Sequence, residues 1–415
     1  MLDGLMIRGF RNAGRLRKCL IGTALLSVVV AVSGCQTISF YSQAIRGQYQ
    51  IFAHEEPTEK LLKSSTTPAP LKDRLQFVAD LRVFAADKLK LPVDGHYRKY
   101  VDVHRPFVVW NVEAAPEFSL EPKNWWYPMV GSLGYRGYFS EAAAHKYGEK
   151  LKKKGDDVFI GGVEAYSTLG WFKDPLLNTF IFNPDADLAE TLFHELGHQR
   201  VFARGDTDFN EAFATTVGQE GARRWLQSKG DTAAYENYLA ELKRTRDFVH
   251  LIMRTRENLA VVYGDERTED GRLKASNKKR DISPEQLRAQ KKGVLEQMQR
   301  EYAALKVEWG GNKEYDHWFA RPVNNAQLNS VAAYYDFVPG FERLLALKDG
   351  DLEKFYEEAK RLASMSKKER QQWLRTLGES QEPSGIVSTS ANKSRMSLAD
   401  PSVSNQPRMK TNTHE

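Results

Sequence analysis

The spacing of apolar residues changes at Phe182–Pro184, and this change divides the chain into two kinds of structure. Before it, residues 97–182 contain short runs of β-branched and aromatic residues bounded by Gly, Pro or Asn, which are typical of strands. After it, apolar residues recur at helical spacing. The sequence therefore predicts an α+β fold: a small mixed sheet lobe with an edge strand, followed by a mostly α-helical C-terminal lobe. Strands are predicted at Val101–His104, Phe107–Val112, Val158–Val163 and Thr179–Phe182.

The helical spacing of apolar residues also predicts where the helices lie. Leu71–Leu89 and Ser140–Lys154 are predicted to be helical in the first part of the chain. From Glu379 onward Ser, Asn, Pro and Lys dominate, so 379–415 is predicted to be a disordered tail. In the second part, helices are predicted at 185–203, 209–227, 231–263, 284–307, 325–346, 351–363 and 366–377, with an exposed loop at Gly264–Asp281.

The N-terminus is organised like a bacterial secretion signal. Basic residues up to Lys18 precede an apolar run of about 13 residues, Leu20–Val32, shorter than the ~20 that a spanning helix needs. Val32–Cys35 resembles a lipobox, in which the cysteine is acylated and becomes the first residue of the mature chain. We therefore expect a lipid anchor on Cys35 at the periplasmic face of the cell envelope; an uncleaved anchor helix is the alternative. An Asp directly after the lipidated cysteine would favour retention in the inner membrane. This position holds Gln36, so we expect the outer membrane.

These signals predict five segments: a signal peptide at 1–34, a tether at 35–74, an α+β lobe at 75–204, a helical lobe at 205–378 and the tail.

The basic net charge belongs to this leader. Of 60 Lys and Arg and 54 Asp and Glu residues, five basic and one acidic lie in 1–34, so the rest of the chain carries 55 basic and 53 acidic side chains. A nearly neutral body gives no reason to expect a nucleic-acid partner. The two cysteines are Cys19, in the leader, and Cys35, the expected lipid site, so the mature chain has no pair for a disulfide. A metal site would have to be built from His and carboxylates.

Residues 194–198 form the pattern H-E-x-x-H. On a helix this spacing places His194 and His198 on one face, within reach of one ion. Glu195 would project beside the metal, where it can hold a water molecule and take its proton. Two imidazoles and a carboxylate suit Zn²⁺ and leave a fourth position for water. The alternative is a His pair that only forms hydrogen bonds in a core helix.

The helix itself is expected on independent grounds. Asn183 and Pro184 suit the N-cap and the first helical position, and Gly205 can end the helix. Leu188, Leu192 and Leu196 repeat on the side away from the histidines. The leucine face would then pack in the core, and the histidine face would bind the metal.

A third metal ligand is expected downstream. Glu211 begins a new helix 13 positions after His198, and a tight turn at Gly205–Asp208 would bring it to the metal. Asp208-x-x-Glu211 is also a capping-box pattern, so the alternative role of Glu211 is to cap its own helix. His250 and His317 are the other candidate ligands.

H-E-x-x-H followed by Asn210-Glu211-Ala212 resembles the gluzincin metallopeptidases, in which the second Glu is the third zinc ligand. The lipobox, the zinc helix, Gly134–Phe139, Ala165–Phe172 and Asn324–Ala326 more closely resemble the putative aminopeptidase family of proteobacterial lipoproteins, over roughly residues 35–375. This resemblance implies a zincin-like fold and a zinc-dependent aminopeptidase activity on peptides. The 12 residues between His198 and Glu211 are fewer than in thermolysin-like enzymes or the large gluzincin aminopeptidases.

Two further residue roles are expected, one from a resemblance and one from the chemistry of a predicted helix. Gly161–Ala165 loosely resembles the Gly-Ala-Met-Glu-Asn strand of gluzincin aminopeptidases, which implies that Glu164 binds the free amine of the substrate. An exposed strand glutamate without a function is the alternative. Tyr334 or Tyr335, on a predicted helix, could direct a phenol at the developing oxyanion; the alternative is that both only pack.

The sequence therefore predicts a zinc peptidase of the cell envelope, with an exopeptidase favoured over an endopeptidase. In this hypothesis Glu195 activates the water that attacks the scissile carbonyl and then passes the proton to the leaving amine. The alternative from another class is an envelope lipoprotein with a structural zinc site that cleaves nothing. A structural His pair would have no need of the carboxylate of Glu195 beside it.

Overall fold

The computed structural model describes residues 40–127, 131–165, 173–268, 273–275 and 282–379. The chain divides into two compact units, Met1–Ala53 and His54–Glu415. The described part of the first unit is one helix, α1, at residues 40–53. No helix in these ranges is long and apolar enough to cross a membrane. The predicted signal peptide, the lipid site Cys35 and the tail beyond Glu379 lie outside the described residues, and the predicted domain boundaries stay predictions.

The first part of the second unit combines short strands with a few helices. Residues 69–87, in which apolar residues recur at helical spacing, form a helix, and residues 109–116, in which buried and partly exposed residues alternate, form a strand. The elements are β1 (Glu56–Pro57), α2 (Thr58–Lys63), α3 (Ala69–Asp87), β2 (Lys99–Val101), β3 (Val109–Pro116), β4 (Trp125–Tyr127), β5 (Gly131–Leu133), β6 (Arg136–Tyr138), α4 (Glu141–Lys152), β7 (Asp156–Val163), β8 (Leu176–Leu177) and α5 (Asn178–Ile181).

The strands form small sheets rather than one large sheet. In the antiparallel sheet β6–β3–β7, strand β3 is central and pairs along its whole length with β7. A second three-stranded sheet has the order β1–β2–β8, with β2 and β8 parallel, and β4 and β5 pair antiparallel. Along β3, Trp110, Val112 and Ala114 are buried, whereas Asn111 and Glu113 alternate with them on the opposite face. The polar face of β3 is therefore free to line a site.

The described residues after Ile181 form helices and one two-stranded ribbon. Side chains cap several of these helices; for example, Ser283 and Gln286 form a capping box at the start of α9. The elements are α6 (Asp185–Arg200), α7 (Thr207–Lys229), α8 (Thr232–Tyr263), β9 (Glu266–Arg267), β10 (Leu273–Lys274), α9 (Pro284–Glu308), α10 (Asp316–Phe319), α11 (Asn325–Tyr335), α12 (Val338–Leu347), α13 (Leu352–Ser364) and α14 (Lys367–Glu379).

Helices α6 and α7 pack against each other in antiparallel directions, since Gly197 lies against Ala214 and Gly218 lies against Glu190. Gly218 of α7 permits the close approach, because a Cβ atom there would lie 2.9 Å from the backbone oxygen of Glu190 and 3.1 Å from Cβ of His194. Helix α11 crosses α7 and also contacts β3 and β7. The two helices, the sheet and α11 therefore meet at one place.

The α+β fold is confirmed, and most of the predicted helices and strands are present within a few residues of their expected bounds. Three local predictions were wrong. Thr179–Phe182 was predicted as a strand, but Asn178–Ile181 forms the short helix α5, and its apolar residues are buried in the core. The single helix predicted at 325–346 is divided into α11 and α12, since Pro339 lacks the N–H that a continuous helix needs. Helix α6 begins at Asp185 as predicted, but its N-cap is Pro184 rather than Asn183, and it ends at Arg200 rather than at residue 203.

Candidate metal centre

Helix α6 carries His194 and His198 on one face, one turn apart. Leu188, Leu192 and Leu196 are fully buried, so packing of the opposite face holds the helix in place. The side chains of the two histidines are also almost completely buried, with 3% and 8% of their surface exposed. The two imidazoles are therefore held close together inside the protein.

The turn between α6 and α7 directs the chain back towards these histidines. Asn210 bonds both backbone groups of Ala203, accepting from its N–H at 2.7 Å and donating to its carbonyl at 2.9 Å. Gly205 has φ +75°, which a glycine adopts without strain. The fully buried Asp206 accepts a hydrogen bond from Arg370 at 2.9 Å, which ties the turn to α14. Side-chain hydrogen bonds thus fix where α7 begins.

Glu211, in the second turn of α7, points at both histidines. Its Oε2 lies 3.4 Å from Nε2 of His194 and 3.6 Å from Nε2 of His198, and the two Nε2 atoms are 3.2 Å apart. Ligand atoms around a tetrahedral zinc ion, with bonds of about 2.0–2.2 Å, are separated by about 3.3–3.6 Å. The triangle therefore fits three corners of such a site, and its two nitrogens and one oxygen are donors that zinc accepts. This group could hold a metal ion.

The structure does not support the alternatives to Glu211 as the third metal ligand. Helix α7 has Asp206, not Asp208, at its N-cap, and the side chain of Asp206 makes no capping bond. His250 and His317 are exposed. Within the described ranges, His194, His198 and Glu211 form the one cluster of potential metal-binding side chains.

The charges of these three groups depend on each other. Burial raises the pKa of Glu211, but His198 and His194 more than offset this effect and hold the pKa at about 2. Burial lowers the pKa of His194 below its ordinary value. Burial also acts to lower the pKa of His198, yet Glu211 raises it overall. An ionised Glu211 beside a neutral His194 provides lone pairs that a cation can bind.

Glu195 lies next to this triangle without belonging to it. The residue is 7% exposed, and its Oε2 is buried without a hydrogen-bond partner among the described residues. Burial raises the pKa of Glu195 to about 8, with Glu211 adding to the increase and His198 opposing it. A buried carboxyl oxygen without a partner is costly unless a cation or a proton donor binds there. This is the second feature of the centre that fits a bound metal and its water.

A cavity of about 260 Å³ opens beside Glu211 and is bounded by β3, α7, α8 and α11. Tyr334 of α11 lines it, and the ring of Tyr334 lies 6.4 Å from that of His194. Tyr135 lines the same cavity. Tyr335 lies elsewhere: it is 4% exposed, and its hydroxyl has no hydrogen-bond partner in the described structure. The structure therefore brings Tyr334, but not Tyr335, to the candidate centre.

Asn325 fixes the helix that carries Tyr334. Its side-chain amide donates to the carbonyl oxygens of Pro116 and Ser119, both at 3.0 Å, and its backbone N–H donates to Asp157 at 2.9 Å. The segment Asn324–Ala326, which the family resemblance singled out, therefore attaches α11 to the sheet.

Glu164 lies just beyond the end of β7, and its predicted role in binding the amine stays a prediction. Its Oε2 accepts a hydrogen bond from Asn183 at 2.8 Å, just before α6, and it is not among the described residues that line the cavity. Glu113 of β3 does line the cavity. Burial, and then the charge of Glu211, raise the pKa of Glu113 to about 8. Glu113 was not predicted from the sequence because it lies in no motif. The alternation of polar and apolar residues along β3 could have indicated that Glu113 lies on the face opposite the core.

Comparison with known protein families gives a match over most of the chain. A family model described as "Putative aminopeptidase" matches residues 39–374. The chain belongs to this family. The family description agrees with a peptidase. Comparisons with curated proteins and with solved structures give no match.

Proposed function

We propose that this protein is a zinc-dependent aminopeptidase. The observation that carries the proposal is the triangle of His194, His198 and Glu211 beside a cavity, with the carboxyl group of Glu195 buried next to it. A metal bound only for structure would need no additional carboxylate at that place. The family description supports a peptidase that removes N-terminal residues.

His194, His198 and Glu211 would hold the zinc ion. When bound, zinc would polarise the scissile carbonyl and make water easier to deprotonate. Glu195 would accept the proton from the attacking water and transfer it to the leaving amine. Burial raises the pKa of Glu195, and a cation bound beside it would lower that pKa, so the carboxylate could accept and release a proton near neutral pH.

Tyr334 would assist by donating a hydrogen bond to the developing oxyanion. Burial, followed by the charge of Glu211, raises the pKa of Tyr334 well above its ordinary value, so its phenol remains protonated at neutral pH. A protonated phenol on the cavity wall near His194 is a suitable donor.

Glu113 is the carboxylate we favour for the free amine of the substrate. It lies on the cavity wall, whereas Glu164 is hydrogen-bonded to Asn183. An ammonium group bound inside the protein needs an anionic partner. A cationic ligand would in turn lower the pKa of Glu113 and favour its ionised form.

We further propose that the protein acts on peptides in the cell envelope, attached by a lipid on Cys35. This proposal rests on the leader sequence, in which a short apolar run ends at Ser33-Gly34-Cys35. The nearly neutral remainder of the chain gives no reason to add a nucleic-acid partner.

One experiment tests the main proposal. The purified protein is analysed for metal and assayed with aminoacyl-anilides and with the same substrates acetylated at the amine. We expect about one zinc per chain and hydrolysis of the free-amine substrates only. Equal cleavage of both would indicate an endopeptidase-like site, and bound zinc with no hydrolysis would support a structural metal.

A further inference from the structure

One face of the sheet β6–β3–β7 borders the cavity beside the metal centre. Asn111 and Glu113 of β3 line this cavity, and so does Tyr135, which directly precedes β6. Glu211, the third side chain of the metal triangle, lies on the wall of the same cavity. We call Asn111, Glu113 and Tyr135 the acceptor cluster.

The pairing of β3 with β6 directs these three side chains to one face. Asn111 pairs with Gly137 in the antiparallel register. Paired residues of antiparallel strands share a face of the sheet, and so do residues two positions apart along a strand. Glu113 follows Asn111 by two residues. Tyr135 precedes Gly137 by two residues, so all three members of the cluster point towards the cavity.

Gly137 keeps the space over Asn111 open. A Cβ atom added to Gly137 would lie 3.3 Å from Oδ1 of Asn111, so a side chain at this position would cover the amide. A glycine inside a strand often marks a place where a ligand approaches closely. The amide oxygen of Asn111 can therefore receive a donor from the cavity.

The polar atoms of the acceptor cluster are not used within the described part of the chain. The side chains of Asn111, Glu113 and Tyr135 make no hydrogen bond to another described residue. Tyr127 does bond to Tyr135, but through the backbone carbonyl at 3.3 Å. Polar groups that are shielded from water without a partner are costly. A ligand that brings hydrogen-bond donors would satisfy all three.

The charges of the cluster favour a cationic ligand. Burial, and then the charge of Glu211, raise the pKa of Glu113 to about 8, and a bound cation would favour its ionised form. The same two causes raise the pKa of Tyr135, so its phenol stays neutral and its oxygen can accept a hydrogen bond. The cluster thus offers one carboxylate and two neutral oxygens.

We propose that Asn111, Glu113 and Tyr135 together bind the N-terminal ammonium group, and that the substrates are peptides with a primary amine. This inference rests on the proposed aminopeptidase function and adds the substrate class. A primary ammonium group has three N–H donors, one for each member of the cluster. The secondary amine of an N-terminal proline or N-methylated residue has only two. It would leave one acceptor without a partner, which costs more than the hydrogen bond itself contributes.

The test compares alanine anilide with N-methylalanine anilide on the full chain loaded with zinc. The two substrates carry the same charge and differ by one N–H donor. We expect kcat/KM for the primary amine to exceed that for the N-methyl substrate by about tenfold or more. Tyr135→Phe and Asn111→Leu each remove one acceptor and approximately keep the shape of the side chain. In both variants the ratio of the two substrates should fall towards one, and the zinc content should be unchanged.

The matched control is Tyr138→Phe, in β6, because Tyr138 pairs with Trp110 and both are buried on the other face of the sheet. It should keep the ratio of the wild type. Equal rates of the wild type on the two amines, with acetylalanine anilide uncleaved, would overturn the three-acceptor proposal and leave the aminopeptidase standing. A ratio that persists in both variants would also overturn it, because a steric clash with the methyl group does not depend on the acceptors. Cleavage of acetylalanine anilide at the rate of alanine anilide would overturn both proposals.

Discussion

The ring of Tyr334 lies 6.4 Å from the ring of His194, at an angle of 30°. Tyr335, the next residue, is buried away from the cavity, and its hydroxyl has no partner among the described residues. Two adjacent tyrosines of one helix thus differ in their relation to the metal centre.

This difference gives the first prediction. Tyr334→Phe should lower kcat by about 10- to 100-fold, because a donor to the oxyanion is lost, and should leave the zinc content unchanged. Tyr335→Phe is the matched control and should retain kcat, because its hydroxyl makes no bond in the described structure. Steady-state kinetics with an aminoacyl-anilide, together with metal analysis, measure both. Equal losses in the two variants would show that Tyr334 contributes only by packing.

The second prediction separates binding of the metal from catalysis. Glu195→Gln should keep zinc but lose activity by roughly 100-fold or more, because the amide cannot accept the proton. Glu211→Ala should weaken zinc binding, because one ligand is removed, and His194→Ala or His198→Ala should do the same. Zinc content after dialysis and kcat are measured for each variant. Tight zinc binding and full turnover in Glu211→Ala would mean that the third ligand lies elsewhere.

The sequence was sufficient to predict that His194, His198 and Glu211 lie together, because local rules determine their placement. The spacing of His194 and His198 works on any helix, and the tight turn before Glu211 was visible in the Gly and Asp residues of the loop. Glu113 could not be predicted in the same way. Glu113 lies on a strand, which has two faces. Only the packing of β3 with the helices around it decides which face lines the cavity.

The strand predicted at Thr179–Phe182 failed for a similar reason. Its aromatic and β-branched residues favour a strand, but they also suit a short buried helix. The preceding residues, Leu176–Leu177, already form the pairing with β2, so the sheet ends there. The competing tertiary contact, rather than local propensity, decides the structure of this segment.

The third prediction concerns recognition of the amine. Glu113→Gln should reduce kcat/KM for free-amine substrates by about 10- to 100-fold and have little effect on zinc content, since a charge-assisted pair is lost. Glu164→Gln is the comparison, and it tests the role that the sequence suggested for Glu164. If Glu164→Gln alone abolishes the preference for free amines over acetylated substrates, the amine lies at Glu164 and not at Glu113.

The fourth prediction is a dependence of stability on pH. Burial raises the pKa of Glu342 to about 7, with Arg246 opposing the increase and Glu220 adding to it. The unfolded chain has a glutamate pKa of about 4.3, so the folded state binds this proton more tightly. The stabilisation is therefore complete below about pH 4.3 and is lost as the pH rises through about 7.

Glu342→Gln remains neutral at every pH. The variant should match the wild type in unfolding free energy near pH 4 and exceed it by on the order of 3–4 kcal/mol at pH 8. Urea denaturation at the two pH values measures the difference. A constant difference between variant and wild type would contradict a raised pKa at this position.

The last prediction tests whether the contact between α6 and α7 determines the metal centre. In Gly218→Ala the new Cβ atom would lie 2.9 Å from the backbone oxygen of Glu190, which cannot rotate away, and 3.1 Å from Cβ of His194. The two helices must then separate, which should cost about 1–3 kcal/mol of stability and move Glu211 away from the histidines. We expect a lower Tm and weaker zinc binding.

Gly293→Ala, in α9, is the control, since nothing lies within 4 Å of its added Cβ atom. That substitution should raise stability by up to about 1 kcal/mol through helix propensity and leave zinc binding unchanged. If Gly218→Ala loses stability yet binds zinc as tightly as the wild type, the ligands do not depend on the close approach of the two helices.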